Sequence, residues 1–107
     1  MEWPQDADGD VLRRMLSDGF DFDTPCTIDF NVDFGAWPPP DQAIQLLKQQ
    51  FPGKTKVYAH ADKKDGYVLL QVVQLLSYEF VIHVQSTVSE LMSPYGGICE
   101  SWGVFHR

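Results

Sequence analysis

The residues best placed to do chemistry lie in Thr27 to Phe34, TIDFNVDF, where Asp29, Asn31 and Asp33 alternate with Ile28, Phe30, Val32 and Phe34. A period of two is that of a half-buried strand, so the carboxylates share one face and the apolar side chains the other. Such a wet, negative face suits the binding of a basic protein. It does not make a catalyst, because paired carboxylates with no partner of shifted protonation are common on acidic surfaces.

Other constellations are weaker. His60, His83 and His106 are far apart and have no carboxylate at ligand spacing on one helix face, so no metal is expected. No serine or cysteine sits in a nucleophile elbow, and no cofactor motif is present. A copper-chaperone reading needs two cysteines in the loop after the strand, but that loop is GAWPPP. It also lacks the arginine that an acylphosphatase-like site would use on phosphate. Tyr58 and Tyr67 are the kind of residues that stack bases, yet Asp29 and Asp33 beside them would repel phosphate, so no direct nucleic-acid binding is expected. Trp37 in its proline-rich loop and Trp102 near the end are each candidates for core packing or for partner contact.

Charge gives these acids a context. The net charge is −7, and residues 1–41 hold ten carboxylates against Arg13 and Arg14, a balance of −8. The remaining chain is nearly neutral. A basic protein partner follows more naturally than a polyanion. The 107 residues, 44% hydrophobic, amount to a single globular domain over 1–107 with no repeat. No membrane span or signal-like start is seen, so an intracellular protein is expected.

The elements that must position the acidic strand are readable in order. Val11, Leu12, Met15 and Leu16 mark a first helix, capped by Asp8 or Asp10 and stopped at Gly19. FDFDTP is a turn into strand one. Pro40 and Asp41 open a helix whose inward stripe is Ala43, Ile44, Leu47 and Phe51. KTKVYAHA is strand two, DKKDG a turn and YVLLQVV strand three. Residues 77–92 are rich in β-branched residues, yet Val81, Val84, Val88, Leu91 and Met92 keep helical spacing, so a helix capped by Ser77 is expected. ICESWGVF forms the last strand.

This order predicts an α+β, ferredoxin-like βαββαβ sandwich: a four-stranded antiparallel sheet, two helices on one face, and an extra N-terminal helix. Strand one should lie between strands three and four. The opposite face stays open unless the first helix or a partner covers it. Cys26 and Cys99 would then start neighbouring antiparallel strands, on the order of 20 Å apart, too far for a disulfide.

DGDVLRRMLSDGFDFDTPCTIDFNVDF resembles the N-terminal half of the RraB family of ribonuclease E activity regulators. PPDQAIQLLKQQF is similar to its first sheet-covering helix, and YGGICESWGVF to its closing signature, keeping Trp102, Gly103 and the acidic neighbour Glu100. The resemblance implies a cytoplasmic bacterial protein that binds an endoribonuclease and modulates RNA decay without catalysis or cofactor. It implies partner contacts by Asp21, Asp23, Asp29, Asp33, Trp37, Glu100 and Trp102, with carboxylates standing in for phosphates toward arginines. The alternative is a small-molecule-sensing or dimerising ferredoxin-like module, which would form a homodimer.

Overall fold

The computed structural model describes residues 3–52, 54–59 and 66–104. The order is α1 (Ala7–Ser17), β1 (Cys26–Phe34), α2 (Asp41–Gln50), β2 (Thr55–Ala59), β3 (Gly66–Gln74), α3 (Tyr78–Met92), a single 3-10 turn (Ser93–Tyr95) and β4 (Gly97–Val104). The fold is thus α+β, with three helices and a four-stranded antiparallel sheet in the order β2-β3-β1-β4. β1 lies between β3 and β4. His60, His106 and the turn residues 62–65 fall outside the described residues.

Alternation decides which side of the sheet is covered. Ile28, Phe30 and Val32 of β1 pair with Val72, Leu70 and Val68 of β3, and directly opposed residues share a face. Those residues, apart from half-buried Val72, join Leu12 of α1, Ala43 and Leu47 of α2, and Val81, Val84, Val88 and Met92 of α3 in one core. All three helices therefore contribute to the layer on that side. Val57 of β2 faces the same way, opposite Val68, yet is 46% exposed. As an edge strand, β2 has cover from one direction only.

α3 forms where β-branched content argues for strand. Its apolar positions recur at helical spacing and bury five residues, Gln85 among them, while the Ser77 hydroxyl accepts the Phe80 N–H at 3.1 Å. Packing on the sheet overrides local propensity here. In α1 the cap is Asp6, not Asp8 or Asp10: its Oδ1 accepts the Gly9 N–H at 2.7 Å. Leu12 is fully buried while Leu16 is 44% exposed, because α1 lies at the margin of the layer, against α3.

Two glycines fix the approach to β1. A Cβ on Gly9 would stand 2.0 Å from the Pro4 carbonyl oxygen, so the chain before α1 folds back over the helix start only with glycine there. Arg13 holds that segment by donating to the Trp3 and Pro4 carbonyls at 2.8 and 3.1 Å, and it pairs with Asp10. Gly19 has φ +86°, a left-handed conformation that lets the chain leave α1.

A side chain of α3 takes up the outward backbone groups of one β4 residue. The Ser89 hydroxyl of α3 accepts the Cys99 N–H at 2.9 Å and lies 3.1 Å from the Cys99 carbonyl oxygen, to which it donates. Next to it the β1–β4 register shifts between Asn31 and Val32, leaving Glu100 as the extra residue. Ser89→Ala should lower stability by about 1 kcal/mol, read as a smaller urea midpoint at unchanged slope.

Candidate functional site

The second face of the sheet carries the side chains that the core excludes. Its register is laid out in rows across the strands. Ile98 of β4 pairs with Asp33 of β1. One step beyond the Val32–Val68 pair, Asp33 and Tyr67 of β3 line the same depression, and Tyr67 pairs with Tyr58 of β2. The next row is Ser101, Asn31, Leu69 and Lys56; the third is Gly103, Asp29 and Gln71. Asp29, Asn31, Asp33, Tyr67, Leu69 and Ser101 line an open depression of about 680 Å³. No helix among the described residues lies over it, since Leu12 ties α1 to the core of the opposite layer.

The carboxylates on this face differ in their partners. Asp29 accepts the Gln71 side-chain amide at 3.0 Å, a cross-strand bond that fixes its orientation. Asp33 is exposed. Tyr58 and Tyr67 are stacked, with ring centroids 5.1 Å apart and planes 23° apart. An oriented carboxylate, an exposed one, and an exposed aromatic pair can together hold a cationic group by charge, hydrogen bonding and ring stacking.

The other residues singled out from sequence lie elsewhere. Asp21 serves its own turn: its carboxylate accepts the Asp23 N–H at 2.9 Å and the Thr24 hydroxyl at 2.7 Å. The Thr24 bond first, then the backbone bond, holds its carboxyl below the usual range. Asp23 borders a separate hollow with Trp3, Phe22 and Tyr78. Glu100 is exposed at the register shift of β4.

Trp37 and Trp102 both belong to the covered side. Trp37 packs where a Cβ on Gly66 would come within 2.5 Å of its ring, and is half-buried against the core. Trp102 pairs with Phe30, so it faces the helices, and its indole N–H donates to Asp8 at 2.7 Å. The second Asp8 oxygen accepts the Gln85 amide at 3.3 Å. Asp8 thereby joins α1 to α3 and β4. Nothing in the spacing announces a link between residues 94 positions apart.

A second acid reinforces that junction. The Tyr78 hydroxyl donates to Asp6 at 2.6 Å. This bond first, and the Gly9 amide second, lower the Asp6 pKa from its ordinary value, while the same bond raises that of Tyr78. Because the folded value is depressed, the stabilisation is present above the ordinary carboxylate range and is lost as pH falls through the folded value.

Both cysteines are free thiols at opposite ends of β1's pairing: Cys26 opens the strand and Cys99 pairs with Val32. Burial, with the Asp33 charge adding to it, pushes the Cys99 thiol up to about 12. Burial also raises that of Cys26. Both therefore stay protonated at neutral pH and are poor nucleophiles. Among the described residues no three His, Cys, Asp or Glu side chains are grouped to hold a metal, and no helix is long and apolar enough to cross a membrane.

No curated protein matches this chain. The family model described as "Regulator of ribonuclease activity B" matches residues 5–104, a span that includes all three helices, the whole sheet and Trp102–Gly103. On that match over nearly its full length, the chain belongs to the RraB family, whose members regulate ribonuclease activity.

Proposed function

We propose that this protein is a non-catalytic regulator that binds an endoribonuclease and modulates RNA decay, using the uncovered face of its sheet. The observation that carries the reading is the position of Asp29 and Asp33, two carboxylates four residues apart on an inner strand, on the side that no helix among the described residues shields. Family membership supports a ribonuclease as the partner. The chain's charge of −7 supports a basic segment of that ribonuclease as the part engaged. Two unpaired thiols suit a reducing, cytoplasmic setting. Element order and strand order support a ferredoxin-like architecture with an added first helix.

The test is calorimetric titration of the purified protein into purified endoribonuclease at several salt concentrations. Affinity should fall as salt rises, and Asp29→Lys with Asp33→Lys should weaken binding by about tenfold or more, since each reversal turns an attraction into a repulsion. Both side chains are off the core, so circular dichroism should be unchanged. Wild-type affinity in the doubly reversed protein would remove this face from the interaction.

A further inference from the structure

The rows of the uncovered face carry more detail than their charge. Asp33 and Asp29 stand four residues apart along β1, which at strand rise is about 13 Å. Between them Asn31 offers both a donor and an acceptor. On the β4 side the floor is low beside Asn31 and Asp29, where Ser101 is short and a Cβ on Gly103 would meet nothing within 4 Å, and it rises beside Asp33 at the exposed Ile98. The result is a trough running along β1 rather than across it. On the β3 side it is walled by Tyr67 and Leu69.

The aromatic wall is asymmetric. Tyr67 has Tyr58 stacked on its β2 side, which leaves its other ring face turned toward β1 and Asp33. A planar cation entering there meets a ring on one side and a carboxylate on the other. Guanidinium fits that slot better than ammonium, because it stacks flat on an aromatic face while its fork of N–H groups bonds a carboxylate in two places. Asp29, already oriented by Gln71, has no ring beside it in its row and asks only for positive charge.

We propose that the trough takes an extended cationic segment of the partner protein, lying along β1, with an arginine between Asp33 and Tyr67 and a second cationic side chain four residues away on Asp29. An extended chain sends alternate side chains to the same side at the same pitch as β1. Spacing of four therefore brings both cations down together, whereas spacing of three turns one of them away. The inference rests on the reading of this face as the partner-binding surface, and it adds the partner's side-chain type, conformation and spacing.

The probe is a set of fluorescein-labelled synthetic peptides, otherwise built of serine and threonine, measured by anisotropy against the whole protein. The peptide with two arginines four residues apart should bind about tenfold tighter than the same peptide with lysines, and about tenfold tighter than one with arginines three apart. Tyr67→Ala should erase the preference for arginine while leaving the lysine peptide unchanged; Tyr67→Phe should keep it. Gly103→Leu, which fills the trough from open space, should weaken every peptide. Equal binding at both spacings, or equal losses for arginine and lysine in Tyr67→Ala, would overturn the proposal. Peptide selectivity without any ribonuclease binding would sink the broader reading and leave the trough's preference standing. Ribonuclease binding that responds to charge reversal, without peptide selectivity, would do the opposite.

Discussion

Replacing Phe30 with alanine is expected to lower the unfolding free energy by about 3–5 kcal/mol, measured by urea denaturation followed in the far ultraviolet. Phe30 is fully buried at the centre of the middle strand, between Leu70 of β3 and Trp102 of β4, and its ring meets Phe80 of α3 edge-on at 6.1 Å. The side chain joins three strands' worth of neighbours to the longest helix, and close packing leaves those neighbours little room to collapse inward. A domain of this kind has roughly 5–15 kcal/mol to lose, so the variant should sit near the edge of folding at moderate temperature. Phe30→Leu, which keeps most of the volume, should recover more than half of the loss. A loss under about 1 kcal/mol would mean that the interior re-forms around another residue.

Asp8→Ala is expected to cost about 1–3 kcal/mol and to do so without weakening partner binding at temperatures where the protein stays folded. The carboxylate accepts from Trp102 and Gln85 at once, so alanine strips a half-buried indole N–H and a buried amide of their acceptor together. Gln85 keeps its bond to the Val81 carbonyl, whereas the Trp102 indole N–H loses its bond to Asp8. A double-mutant cycle separates the pair: Trp102→Phe in the Asp8→Ala background should cost less than Trp102→Phe alone, by about 1 kcal/mol. Additive losses would show that the bond contributes nothing. Ribonuclease binding measured on the same variants distinguishes a role for Trp102 in holding α1 and β4 together from a role in partner contact.

Much of this architecture is legible in the residues. Alternation placed β1, and the same pattern put Tyr58, Tyr67 and Leu69 on the outward face, because a period of two leaves no other choice. The helical spacing of Val81, Val84 and Val88 predicted α3 against its β-branched content. What spacing does not carry is which acid does which local task. The spacing offers Asp8 or Asp10 as the cap of α1; the turn of the chain over Gly9 gives that task to Asp6 instead and frees Asp8 for Trp102 and Gln85. The seven residues chosen for partner contact likewise divide in space: Asp29 and Asp33 share the open face, while Trp37 and Trp102 pack on the covered side. A linear pattern reports that a tryptophan is near a turn or a strand end, but not which layer closes over it.

The hydroxyl of Ser89 has a consequence for how copies of this chain could join. A sheet with two unguarded borders is a seed for unlimited growth, each copy adding to the next like links in a ribbon. With Ser89 satisfying Cys99 in the way a neighbouring strand would, that position of the β4 border has no free peptide group to offer another copy. Pairing that uses a single border ends at a two-fold pair and goes no further.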